Sequence, residues 1–123
     1  MITGYVNEAL EPVIEIGLNA ADGLTQIAAV VDTGFSGELC LSEHLIDRLE
    51  MEFAFVERYE LANGEMLVED VYRGTIEFDG YEREVDLILT ASTDSLIGAS
   101  LLQAYILNID YPRGTVQIAQ VSR

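Results

Sequence analysis

The hydrophobic pattern of this chain changes its period several times, and each change predicts an element. Ile14-Glu15-Ile16-Gly17-Leu18 alternates, with Ile14, Ile16 and Leu18 on one face, which is the period of a half-buried strand. Asn19-Ala20-Ala21-Asp22-Gly23 follows as a turn, signalled by Asp-Gly. The chain returns over Thr25 to Val31, and within it Ile27-Ala28-Ala29-Val30-Val31 is an unbroken apolar run of the kind that forms a buried strand. That run ends on Asp32. Glu38-Leu39-Cys40-Leu41 predicts another short strand. Ser42 is placed to cap a helix running to about Met51, with Glu43 in its first turn, Leu45, Ile46 and Leu49 on its buried stripe and Arg48 near its end. His44 falls toward the polar side of that helix, as a surface residue.

The second half is richer in turn signals. Phe53 to Glu57 reads as extended, and Tyr59 to Val68 carries Asn63-Gly64 between strand-like residues, the strongest short-range hairpin signal. The strand pattern continues from Val71 to Phe78, Asp79-Gly80 turns the chain, and Tyr81 to Thr90 returns with the buried run Val85 to Leu89. Polar Ala91 to Ser95 leads to Leu96-Ile97-Gly98 and a short helix, Ala99 to Tyr105, with Leu101, Leu102 and Tyr105 inward. Ile106 to Tyr111 is a strand, Pro112-Arg113-Gly114 a turn, and Thr115 to Ala119 the closing strand, while Met1 to Val6 adds a strand at the other end. The sum is about eight or nine short strands, two short helices and no βαβ rhythm, which predicts a mainly β single domain over 1–123. The two halves echo each other in plan: strand, turn, apolar strand, glycine-bearing segment, helix.

Composition narrows the partners. The net charge is −16, and all six basic residues are Arg. Such a balance disfavours nucleic acid and anionic membranes, whose phosphates call for Lys and Arg, and it opposes self-association. Apolar runs are too short to span a bilayer, and the first residues lack the basic region of a secretory signal. The single cysteine, Cys40, cannot form an internal disulfide and reads as a small buried hydrophobe, and the single histidine leaves no Cys/His metal cluster. The expectation is a cytoplasmic protein with no metal and no cofactor.

Asp32-Thr33-Gly34-Phe35-Ser36-Gly37 is the segment with chemical promise. A carboxylate at the end of a buried strand is either a turn former, since Asp bonds its own backbone and Gly tolerates positive φ, or a catalytic group in a dry place. Asp32-Thr33-Gly34 after an apolar strand, Asn63-Gly64 at the tip of a mid-chain hairpin, and Leu96-Ile97-Gly98 opening a short helix together resemble a retroviral-type (retropepsin-like, clan AA) aspartic protease. The likeness is to the small prokaryotic single-domain form and covers nearly the whole chain, from about Val13 to Ile118. The helix after Ser42 departs from the shortest viral enzymes.

The resemblance implies a closed β-barrel of the acid-protease type and a homodimer, because this chain supplies only one Asp-Thr-Gly. The matching place in the second half, Leu89-Thr90-Ala91-Ser92, has no such carboxylate, and Asp94 nearby lacks the Thr-Gly that follows Asp32. It further implies that Asp32 from each subunit activates a water to hydrolyse a peptide or protein substrate, and that the chain termini interleave as an interface sheet. Thr33 and Gly34 would complete the active-site loop, Ala62, Asn63 and Gly64 would close over substrate as a flap, Phe35 and Ile97 would wall its pockets, and Gly98 would pack beneath the loop. The alternative is a non-catalytic retropepsin-like module for dimerisation or peptide binding. The hairpin would then be an ordinary exposed one and Leu96-Ile97-Gly98 plain core packing.

Overall fold

Each turn signal closes a hairpin. In the computed structural model, which describes residues 1–121, the strands are β1 (Ile2–Val6), β2 (Pro12–Ala20), β3 (Gly23–Val31), β4 (Leu39–Ser42), β5 (Met51–Glu60), β6 (Met66–Phe78), β7 (Tyr81–Thr90), β8 (Ser95–Ile97), β9 (Tyr105–Asp110) and β10 (Thr115–Gln120). The last two residues of the expected domain lie outside the described residues. Ala21 and Asp22 turn the chain from β2 into β3, which opens on Gly23, with register from Val13↔Val30 to Ala20↔Gly23. Asp79 and Gly80 both take positive φ, 55° and 79°, which the tight turn from β6 to β7 requires of its two central residues.

The strand order is β5-β6-β7-β4-β8-β3-β2-β1-β10-β9, and β2 also pairs with β6 through Gly17↔Glu77 and Leu18↔Ile76. That extra pairing closes the six strands from β6 to β2 into a barrel. The side chains of alternate residues fill it: Ile14, Ile16 and Leu18 of β2, Leu39 and Leu41 of β4, Ile76 and Phe78 of β6, Val85 and Leu87 of β7. Tyr105 meets Phe78 edge to face at 5.3 Å. The strands β1, β10 and β9 extend the sheet beyond β2. β1 is taken up inside its own chain, between β2 and β10, so the open edge on that side is β9. No helix among the described residues is long and apolar enough to cross a membrane.

The echo between the halves is a repeat in the barrel. Exchanging β2 with β6, β3 with β7 and β4 with β8 leaves the order and the strand directions unchanged: β3 runs parallel to β8, β7 runs parallel to β4, and β4 and β8 meet antiparallel in the middle. A 3-10 helix follows β4 (Glu43–Arg48) and β8 (Ala99–Leu102).

Those two helices are shorter and tighter than the sequence pattern predicts. The first stops at Arg48 instead of Met51, because Ala20 bridges to Leu49 and the Glu50 N–H donates to the Asn19 carbonyl at 3.1 Å, drawing the chain out into β5. Three residues per turn in place of 3.6 also dissolves the expected stripe: Leu45 and Leu49 are half-buried, but Ile46 is 43% exposed. The Ser42 hydroxyl does cap this helix, accepting from the His44 N–H at 3.4 Å, and His44 is exposed. The second helix ends at Leu102, since Tyr105 already belongs to β9.

Candidate active site

Asp32 stands one residue past the end of the β3–β8 ladder. Val31 pairs with Ile97, and the Asp32 N–H donates to the Ile97 carbonyl at 2.9 Å. The half-buried Asp32 carboxylate accepts the Gly34 N–H on Oδ1 at 2.9 Å, and the Asp32 carbonyl accepts the Phe35 N–H at 3.1 Å. The turn-forming role foreseen for Asp32 is therefore real and consumes one oxygen. Among the described residues nothing bonds the other oxygen. Thr33 and Gly34 are exposed, and a Cβ on Gly34 would stand 3.2 Å from Asp32 Oδ1.

The loop is held from the side of Gly98. The Gly98 N–H donates to the Glu38 carbonyl (3.0 Å), the Ala99 N–H to the Phe35 carbonyl (2.8 Å) and the Ser100 N–H to the Gly37 carbonyl (3.2 Å), while the Ser100 hydroxyl donates to the Ser36 carbonyl. Such close approach excludes a side chain: a Cβ on Gly98 would lie 2.0 Å from the Gly37 carbonyl oxygen. Ile97 does not wall a pocket. It is 0% exposed and belongs to the core, and strand alternation turns the half-buried Leu96 the other way.

β5 and β6 form a long hairpin over this loop. Residues directly opposite share a face, so Phe55 with Val71, Glu57 with Glu69 and Tyr59 with Leu67 lie on one side, and Val56, Arg58, Val68 and Met66 on the other. The first face and the loop enclose a cleft of about 870 Å³, whose wall includes Phe35, Ser36 and Gly37 from the loop, Phe55, Tyr59 and Val71 from the hairpin, and Ile88 from β7. Phe35 thus lines this cleft. Ala62, Asn63 and Gly64 sit at the exposed tip, outside the wall; Gly64 has φ 86°, its N–H donates to the Leu61 carbonyl, and the Glu65 N–H donates to Asn63 Oδ1. The sequence marks Phe55 and Val71 only as strand residues; their place in the wall follows from the alternation along the hairpin arms.

Two ionisable groups lie near the hairpin. The Tyr59 hydroxyl donates to a Glu69 carboxylate oxygen; that bond first, then burial and the charges of Glu69 and Glu57, push the Tyr59 phenol from 10.0 to about 12. Burial pushes the Cys40 thiol up as well, and at 6% exposure Cys40 is a packing residue. No group of three or more His, Cys, Asp or Glu side chains among the described residues is arranged to hold a metal ion.

The repeat supplies a counterpart to Asp32. Val31 pairs with Ile97 just before one helix, as Leu89 pairs with Leu41 just before the other, so Thr90 occupies the position equivalent to Asp32. The local bond is reproduced: the Ser92 N–H donates to Thr90 Oγ1 at 3.2 Å, as the Gly34 N–H does to Asp32. Because β3 and β7 run in opposite directions, the two loops lie at opposite ends of the barrel. Asp94, in the second loop, is therefore far from being a partner for Asp32.

Gly98→Ala is expected to destabilise the fold by about 3 kcal/mol, at the upper end for overpacking, because the clash is with backbone. Urea unfolding with an unchanged midpoint would contradict the close approach. The neutral Tyr59 phenol is the donor to Glu69, so its contribution is complete below about pH 10 and is lost as pH rises through about 12. Ultraviolet titration of the wild type against Tyr59→Phe should show one phenol ionising near 12, and Glu69→Gln should return it toward 10.

No family model matches the chain, and no curated protein matches it. Among solved structures it is similar to a retropepsin-like aspartic protease from Rickettsia conorii, with a TM-score of 0.55 and 20% identity, covering 97% of this chain and 92% of that one. Together with the closed six-strand barrel and the loop that carries Asp32, this likeness shows that the chain has the retropepsin-like fold.

Proposed function

We propose that the protein is a homodimeric aspartic endopeptidase. The observation that carries this reading is the Asp32 loop: one carboxylate, half-buried, with one oxygen fixed by Gly34 and the other unbonded among the described residues, on a loop whose Phe35, Ser36 and Gly37 wall a cleft roofed by a hairpin. Peptide hydrolysis through water calls for one carboxylate to take a proton while a second acid polarises the carbonyl. Two close carboxylates do so by sharing one proton, since like charges at short range cannot both ionise easily, and the pair titrates as a unit. With one Asp32 per barrel and Thr90 in the equivalent place, the second carboxylate must come from a second copy across a twofold axis.

The remaining roles follow. The exposed Thr33 joins the two loops across that axis. Gly34 lets substrate backbone approach and accepts its hydrogen bond. The hairpin tip at Ala62, Asn63 and Gly64 moves down over an extended peptide and excludes water. Phe35, with Phe55 and Val71, receives apolar substrate side chains. Gly98 keeps the floor of the loop close. A single buried cysteine suits a reducing compartment such as the cytoplasm.

Cleavage of a mixed peptide library between about pH 4 and 7 tests this reading, with loss of about 1,000-fold in Asp32→Asn as the expected result. Equal cutting by both proteins would remove Asp32 from the chemistry. Tight peptide binding without cleavage would favour the non-catalytic module. Dimer formation should also respond to salt. Each chain carries −16, so association is expected to tighten several-fold between about 10 mM and about 500 mM salt, where screening shortens from about 30 Å to under 10 Å, and to tighten again as carboxylates protonate near pH 4–5. Sedimentation showing a weaker dimer at high salt would contradict this.

A further inference from the structure

We propose that Glu38 is a positioning residue for Asp32: its carboxylate ties the end of the active-site loop to β7 while its carbonyl ties the same residue to Gly98, so the loop is held from both sides. The proposal rests on the peptidase reading above. Asp32 opens the loop and Glu38 ends it, and every other hydrogen bond from outside the loop comes from one direction. The Asp32 amide goes to Ile97, and the loop carbonyls of Ser36, Gly37, Phe35 and Glu38 are taken by residues 98 to 100. Among the described residues, only the Glu38 side chain reaches the other way.

That reach is specific. Glu38 Oε1 accepts the Asp86 N–H at 3.0 Å, across 48 positions of sequence. β4 begins one residue later, with Leu39 paired to Leu87, so the carboxylate adds one more rung to the parallel β4–β7 ladder at the point where the loop's own backbone has turned away. Glu38 Oε2 lies 3.9 Å from Arg83 Nη2, and Arg83 Nη1 donates to the Leu101 carbonyl at 3.2 Å. The contacts form a ring from the loop to β7, through Arg83 to the helix after Gly98, and back to the loop. The Asp86 carboxylate is occupied by Arg73 at 3.1 Å and does not compete for Arg83. In a dimer any slackness enters twice, because two copies of this loop must bring two carboxylates onto one proton.

The test compares wild type, Glu38→Gln, Glu38→Asp and Glu38→Ala as full chains at matched dimer fraction. It reads kcat and KM on a library peptide that the wild type cuts, and amide hydrogen exchange at Gly34 and Phe35. Gln retains an acceptor at the same reach, so it should stay within about threefold of wild type, whereas Ala, and Asp with its shorter arm, should lose about 10- to 100-fold in kcat with KM little changed. Exchange of the loop amides should quicken about tenfold in Ala and Asp and not in Gln. Equal losses in Gln and Ala, a loss confined to KM, or unchanged exchange in Ala would overturn the proposal. Should the Ala variant not fold, Gln and Asp decide it, and identical behaviour of those two counts against it. If the wild type cuts no peptide, the peptidase reading falls, and the exchange comparison alone decides whether Glu38 positions the loop.

Discussion

The insertion of β8 between β3 and β4 is the constraint on which the rest of the molecule depends. β3 and β4 are consecutive along the chain but do not pair; three residues from far along the sequence, Ser95 to Ile97, bond both of them. The connection from β3 to β4 must therefore pass over the end of β8 and cannot form a tight hairpin. It also has to cross the chain leaving β8, and at that crossing only a glycine fits, with the Gly37 carbonyl pressed against Gly98. The carboxylate on this connection is consequently held by a packed crossing instead of a free surface loop. That crossing links the sequence pattern Leu-Ile-Gly to a fixed Asp32 some sixty residues earlier.

Local pairings were legible in the sequence and long-range ones were not. Asp79-Gly80 announces its hairpin because a two-residue turn demands positive φ at both positions, and Gly23 and Gly64 mark two more hairpins with positive φ of their own, 116° and 86°. Nothing local announces that Val31 pairs with Ile97 or Leu41 with Leu89, since a parallel pairing has no turn to betray it. The motif order around Asp32 stood in for that missing information. The errors have the same origin. The buried stripe at Ile46 rests on a 3.6 period and the wall at Ile97 on the family resemblance, where the chain follows 3-10 geometry in one case and strict strand alternation in the other. The Glu38 bond to Asp86 could not be foreseen, because its partner lies 48 residues away on a strand whose neighbour was unknown.

Charge and shape pull against each other in this molecule. The cleft wall mixes apolar side chains such as Phe35, Phe55 and Ile88 with charged ones such as Glu57, Arg83 and Asp86, and the hairpin above it exposes Phe53, Val56, Met66 and Val68. Such surface favours company, whereas −16 per chain favours isolation. Only some of the acid is neutralised internally, as Arg73 meets Asp86 and Arg113 meets Asp110. The balance between association and repulsion is thereby placed under the control of salt and proton concentration, which act on the charge and leave the apolar surface as it was.

The internal repeat explains why, on the peptidase reading, a second Asp32-like carboxylate calls for a second chain. A barrel built from two equivalent strand-loop-strand units has two equivalent loop positions, and here they are occupied by Asp32 and Thr90, each holding the amide two residues on. Placing an acid at Thr90 would not complete a pair, because the repeat's exchange of β3 with β7 reverses direction and sends the two loops to opposite ends. The fold's own pseudo-twofold puts these positions at opposite ends of the barrel, whereas an external twofold at the Asp32 end can bring two copies of one position face to face. On the peptidase reading, the symmetry that makes the barrel close is thus the wrong one for pairing two carboxylates, and the right one would come from a partner.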